Sequence, residues 1–182
     1  MSSVLNQKLT LPIVLALTFL TACNGNTKPP ADTSVNKSIQ EGQNSFKNSS
    51  TELTVYKSPT CGCCKHWITH LEQENFTTET KHPDSLTAIK DQLKIPTNKR
   101  SCHTAVSQQG FVFEGHVPAR YIQEFLANPP KDAIGLSVPA MPIGSPGMEV
   151  GDKFMPYSVF VLKDNASDEV FARVETAEQQ FE

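Results

Sequence analysis

The stretch Leu-Thr-Val-Tyr-Lys-Ser-Pro-Thr-Cys-Gly-Cys-Cys-Lys-His-Trp-Ile-Thr-His-Leu, residues 53 to 71, decides how the rest of the chain is read. Leu53, Val55 and Tyr56 form a short β-prone run that stops at Ser58 and Pro59. From Cys64 the apolar residues Cys64, Trp67, Ile68 and Leu71 recur at steps of three and four, the period of one helical face, which ends near Asn75. The segment therefore predicts a strand, a tight turn and a helix. Three cysteines, Cys61, Cys63 and Cys64, lie at the junction. The free N–H groups and dipole of a helix N-terminus favour thiolate there, the form needed for thiol exchange and soft-metal binding.

Further along, a second strand is expected over residues 76 to 81. Asp84 or Ser85 can cap a helix carrying Leu86, Ile89 and Leu93, which Pro96 stops. Residues 104 to 107 and 111 to 114 read as a hairpin around Gln108, Gln109 and Gly110. A helix begins at Pro118 and turns Tyr121, Ile122, Phe125 and Leu126 inward. Residues 129 to 151 are dense in Pro and Gly and read as a loop too long to be a mere connector. Residues 157 to 162 and 170 to 174 predict a terminal strand pair, and the acidic tail from 176 to 182 is expected to fray. The order strand, helix, strand, helix, hairpin, helix is that of thioredoxin and glutaredoxin domains. The expected fold is thus α/β and thioredoxin/glutaredoxin-like, with an added Pro/Gly-rich loop and a C-terminal strand pair.

The N-terminal part reads differently. Residues 9 to 20 are an apolar run behind Lys8, too short to cross a bilayer as a helix, and they match the pattern of a secretory signal. Leu20, Thr21, Ala22 and Cys23 resemble a bacterial lipobox, which makes Cys23 the expected lipidation site and residues 1 to 22 a cleaved signal. Acyl chains there would hold the protein durably, since each buried CH₂ contributes about 0.8 kcal/mol. Asn24 follows the cysteine, so the expected location is the bacterial envelope, anchored in the outer membrane and facing the periplasm. Residues 23 to 51, rich in Asn, Ser, Thr, Lys and Gln, read as a flexible tether, and residues 52 to 175 as the folded domain. At 182 residues, with 38% apolar and 19% charged content, the chain suits one globular domain and excludes a multi-pass membrane protein. A net charge of −3 supplies no footprint for a polyphosphate partner, so nucleic acid is not expected.

Apart from Cys23, four cysteines remain: Cys61, Cys63, Cys64 and Cys102. In the expected fold Cys102, just before the hairpin, faces the Cys61-x-x-Cys64 turn, so the four sulfurs converge. Two buried disulfides are one reading. A Cys63–Cys64 bond is sterically poor, however, and a Cys61–Cys64 bond closes almost no loop. A single Zn²⁺ is another reading, but structural zinc sites use two separated knuckles, whereas here Cys102 has no partner cysteine. A thiol-disulfide oxidoreductase would use Cys61 and Cys64, with Cys102 as resolving thiol. Crowded thiolates also suit copper, since Cu(I) accepts soft ligands at low coordination number. Cys63 separates the last two readings, because exchange chemistry does not need it and a metal cluster does.

The other candidates are softer. His103 adjoins Cys102, although strand neighbours point to opposite faces. His116 stands at the mouth of the last helix, able to ligate or to support a thiolate. His66 and His70, four apart, read as a solvated helix face opposite Trp67 and Leu71, and His82 carries no signal. Met141, Met148 and Met155 lie in or beside the long loop, and thioethers suit Cu(I); Met148 is the candidate ligand or lid, with Glu149 a capping or salt-bridging neighbour.

The strings Tyr-Lys-Ser-Pro-Thr-Cys-Gly-Cys-Cys-Lys (56 to 65), Ser-Cys-His-Thr-Ala-Val (101 to 106), Glu-Gly-His-Val-Pro-Ala (114 to 119) and Met-Pro-Ile-Gly-Ser-Pro-Gly-Met-Glu (141 to 149) resemble the CopG-type copper-resistance family, long described as a domain of unknown function. The resemblance spans roughly residues 52 to 175. It implies a thioredoxin-like fold, an envelope location and copper bound by Cys61, Cys63, Cys64 and Cys102, with copper ions and other envelope copper-handling proteins as partners. Many relatives look soluble, so the lipobox is a departure from the pattern.

Overall fold

The computed structural model describes residues 51–165 and 168–181. The expected signal segment, Cys23 and the tether as far as residue 50 lie outside the described residues, and Thr51, assigned to the tether, already belongs to the first strand. Among the described residues no helix is long and apolar enough to cross a membrane.

Strand β1 (Thr51–Lys57) alternates as its sequence suggests, with Leu53, Val55 and Lys57 buried. It runs through the cysteine turn into α1 (Gly62–Gln73), which crosses over to β2 (Phe76–Lys81), parallel to β1. Ser85 caps α2 (Leu86–Gln92) by accepting the Ala88 N–H at 3.2 Å, as the sequence predicts. A 3-10 turn, Thr97–Lys99, then leads into the hairpin β3 (His103–Ser107) and β4 (Val112–Gly115). Pro118 stands at the N-cap of α3 (Ala119–Ala127), which buries Tyr121, Ile122 and Phe125. The predicted order of elements is present as far as α3.

Beyond α3 the structure corrects the reading. Residues 129 to 151 are not loop throughout, because Gly135–Val138 form a fully buried strand, β5, parallel to β4. β6 (Tyr157–Leu162) and β7 (Val170–Val174) follow as expected, each antiparallel to its predecessor. The result is one mixed sheet of seven strands in the order β2-β1-β3-β4-β5-β6-β7. Its core contains Leu53, Val55, Trp67, Leu71, Phe113, Ile122, Phe125, Leu136 and Val159. Gly135 explains how β5 fits, since a Cβ there would stand only 1.7 Å from the Val112 carbonyl oxygen.

The tail also departs from expectation. Glu178–Gln180 form a 3-10 turn, and Gln180 is buried. Its amide donates to the Gly144 carbonyl at 3.1 Å, and it accepts from the Tyr157 hydroxyl at 2.7 Å. The Tyr121 hydroxyl donates to the Gln179 carbonyl at 3.0 Å. These bonds dock the tail instead of letting it fray.

Candidate metal centre

The cysteine turn ends β1 and starts α1. Cys61 is the N-cap of that helix, and its sulfur accepts the Cys64 N–H at 3.3 Å. A disulfide joins Cys61 to Cys64, while Cys63 and Cys102 are free. Of the two disulfides weighed from the sequence, then, one forms despite the short loop it closes. Cys63 Sγ lies 3.5 Å from Cys61 Sγ, and Cys102 Sγ lies 3.6 Å from Cys64 Sγ. All four sulfurs fall within 4.8 Å of one another, as the sequence reading expected.

Cys102 belongs to a second group as well. Its sulfur lies 3.2 Å from His103 Nδ1 and 3.2 Å from His116 Nε2. The ligand atoms of Cys102, His103 and His116 all lie within 4.8 Å of one another. The alternation argument against one member of the Cys102–His103 pair does not apply, because β3 begins at His103 and Cys102 precedes it.

The His116 ring is held in one tautomer. A carbonyl can only accept, so the 2.8 Å contact between His116 Nδ1 and the Pro146 carbonyl oxygen makes Nδ1 the protonated nitrogen. The lone pair on Nε2 then faces Cys102. Metal-binding histidines are oriented in this way. His103 is fully buried, and its Nε2 has no hydrogen-bond partner. Burial, with the charges of His116 and Lys90 acting in the same direction, pushes His103 well below the usual histidine range. Burial also lowers His116. Both rings are thereby neutral at neutral pH, the form that binds a metal. Burial and the neighbouring Cys63 push the Cys102 thiol up to about 11, so without a cation beside it Cys102 stays protonated.

The long loop covers this corner. Gly147 lies so close to α1 that a Cβ would stand 2.6 Å from the Cys63 carbonyl oxygen. Trp67 packs beneath, with its indole N–H donating to the Val117 carbonyl at 2.9 Å and its ring centroid 4.3 Å from that of His103. Met148 closes the loop turn through its backbone, its N–H donating to the Ser145 carbonyl at 2.7 Å. Glu149 accepts the Gly147 N–H at 2.9 Å, the capping role foreseen for it. Met141 and Met155 are exposed.

One histidine was misread from the sequence. His66 is exposed as expected, but His70 is buried, and its Nε2 accepts the Ala119 N–H at 3.0 Å. Three residues on from Trp67 is only about 60° round the helix, so His70 flanks the apolar stripe and does not oppose it. His82, which carried no signal, bonds through Nδ1 to the Lys57 carbonyl at 2.9 Å. Sequence reasoning also passed over Lys90 and Glu114, whose buried ion pair lies against Ser101 and Thr104. Glu114 opens the string 114 to 119 that carries the family resemblance, but a lone Lys and a lone Glu, 24 positions apart, carry no pattern that would have paired them.

A family model described as a protein of unknown function, DUF411, matches residues 99–148. No curated protein sequence matches the chain. A solved structure of the copper resistance protein CopG, form 1, is 38% identical, covers 69% of this chain and 98% of its own, and superposes with a TM-score of 0.64. Form 2 of that protein is 39% identical, with a TM-score of 0.64 and coverage of 69% and 99%. With identity at this level over nearly the whole length of the solved relatives, the chain belongs to the CopG copper-resistance family.

Proposed function

We propose that the protein binds copper through Cys61, Cys63, Cys64 and Cys102, with His103 and His116 as supporting ligands, and that it contributes to copper resistance in the bacterial envelope. The observation that carries this reading is the gathering of four sulfurs within 4.8 Å, one of which also belongs to the Cys102, His103, His116 group. Such a set fits copper on its own chemistry. Thiolates suit Cu(I), and neutral imidazoles suit Cu(II) as well, so interconversion of the two states is the finer form of the proposal. Four-thiolate binding requires the Cys61–Cys64 bond to be reduced by two electrons, supplied by a cellular or added thiol. Met148 remains a candidate for the loop side of the site. The arrangement β1-α1-β2-α2-β3-β4-α3 supports a thioredoxin-like reading of this part of the fold. The lipobox-like Leu20 to Cys23 supports lipid anchoring at Cys23 in the outer membrane.

A second reading has its own support. A Cys61–Cys64 disulfide at a helix N-terminus, with Cys102 at 3.6 Å from Cys64, is also the layout of a thiol-disulfide oxidoreductase. Copper content of anaerobically reduced protein, measured by mass spectrometry and by competition with a Cu(I) chelator, separates the two. In the copper reading Cys63→Ser loses copper about as severely as Cys61→Ser or Cys102→Ser. A Cys63→Ser protein that keeps its copper and reduces disulfides at the normal rate, while Cys61→Ser and Cys64→Ser fail at both, would replace it with the oxidoreductase.

A further inference from the structure

Cys102 is the sulfur shared by both ligand groups, yet it stands in a bend before β3, outside the sheet ladder. The first ladder pair on this side is Lys57 with His103. Something else must hold Cys102. Its flanks are tied to one carboxylate, that of Glu114 on β4, which is fully buried. Glu114 Oε1 accepts the Ser101 N–H at 2.6 Å, and Oε2 accepts the Thr104 hydroxyl at 2.5 Å. The Lys90 ammonium, reaching in from α2, donates to Glu114 Oε1 and, at 2.9 Å, to Thr104 Oγ1. Ser101 is clamped from the other side too, since its hydroxyl donates to the Ala140 carbonyl. Gly115 makes room for it: a Cβ there would stand 2.6 Å from Ser101 Cβ.

A buried ion pair is a weak source of net stability, because desolvating both charges offsets their attraction. What it offers is direction, through charge-assisted hydrogen bonds that tolerate little displacement. We propose that Lys90 and Glu114 are positioning residues for the metal centre, holding the Ser101–Thr104 segment so that Cys102 Sγ meets both the cysteine turn and the two imidazoles. The inference rests on Cys102 being a metal ligand, but the positioning itself can be read without metal.

Removing one charge alone strands the other and threatens folding. The test therefore uses the full chain as the double variant Glu114→Gln/Lys90→Met, alongside Thr104→Val, which removes the two hydrogen bonds of that hydroxyl, to Glu114 and from Lys90, and leaves both charges paired. In reduced, metal-free protein, alkylation by iodoacetamide is followed at Cys102 and Cys63 by mass spectrometry. Cu(I) affinity is measured separately by chelator competition. The expected result is a severalfold rise in the Cys102 rate relative to Cys63 in the double variant, and a smaller rise in Thr104→Val. Cu(I) affinity should fall about 10- to 100-fold, the range seen when groups supporting a ligand are lost. A wild-type Cys102-to-Cys63 ratio in a folded variant overturns the proposal, and Thr104→Val decides it if the double variant does not fold. A shifted ratio in a chain whose wild type retains no Cu(I) would leave the positioning standing and overturn only the copper reading.

Discussion

Gly147→Ala tests whether the long loop is seated on the cysteine helix as the structure has it. Gly147 has φ of +84°, in the left-handed region, and its added Cβ would stand 2.6 Å from both the Cys63 carbonyl oxygen and the Trp67 nitrogen. Both are backbone atoms of α1 and cannot rotate away. Alanine in that conformation costs about 1 to 2 kcal/mol. Relieving the contact means lifting the loop, which breaks the 2.8 Å bond from His116 to the Pro146 carbonyl. That bond contributes about 1 kcal/mol net, so the total loss is about 2 to 3 kcal/mol. For a domain of this size the corresponding fall in Tm is about 6 to 15 °C. Thermal unfolding gives the midpoint, and amide hydrogen exchange over residues 144 to 150 shows whether the loop opens first. Gly62→Ala is the control, because a Cβ there meets nothing within 4 Å, and it should leave the exchange pattern unchanged and the midpoint at or slightly above the wild-type value, since alanine at a compatible helix position costs the unfolded chain entropy. A Gly147→Ala protein with the control's midpoint and the wild-type exchange pattern would refute the seating of the loop on α1 and, with it, the steric account.

Two further outcomes follow from the buried rings. Burial lowers His70 from 6.5 to about 4, so its contribution is present above pH 6.5 and is lost as pH falls toward 4, with a ceiling of about 3 kcal/mol. His70→Gln keeps an acceptor for the Ala119 N–H without titrating, and should flatten the stability profile over that interval; since His103 and His116 are lowered in the same direction, it is the difference from wild type that tests the claim, and an unchanged slope contradicts it. Trp67, the chain's single tryptophan, has its ring centroid 4.3 Å from that of His103, so copper taken up at Cys102 and His103 should quench its fluorescence in step with loading, and full loading with undiminished emission would mean the ion sits elsewhere.

Much of this protein is legible from local pattern. The period-two run of β1 followed by the three-and-four spacing of Trp67, Ile68 and Leu71 determines a strand entering a helix at the cysteines. The same reasoning reaches α3, because the longer elements there show their period and the four-residue β4 is marked by the turn that joins it to β3. It fails at β5, where Gly135–Val138 is four residues amid Pro and Gly, too few for a pattern. That strand forms because β4 and β6 present pairing edges on either side and a glycine lets the chain approach Val112. His70 and the tail fail for a related reason. A flanking helix position is buried only if something covers it, and here the cover is Ala119 together with the Phe181 ring, 5.5 Å away and far off in sequence.

At the site the division is similar. Residue type and spacing alone determine that Cys61, Cys63 and Cys64 share one helix start and that their chemistry is that of soft ligands or redox thiols. Only the tertiary structure decides that Cys102 lies 3.2 Å from two imidazoles, that Pro146 selects the tautomer of His116, and that Lys90 and Glu114 hold the segment in place. Apart from the contact between the neighbours Cys102 and His103, they join β3, β4, α2 and the long loop across separations of 10 to 30 residues in sequence. Periodicity reports which face of one element is apolar, whereas a hydrogen bond between distant groups depends on where the packed sheet and helices finally bring them together.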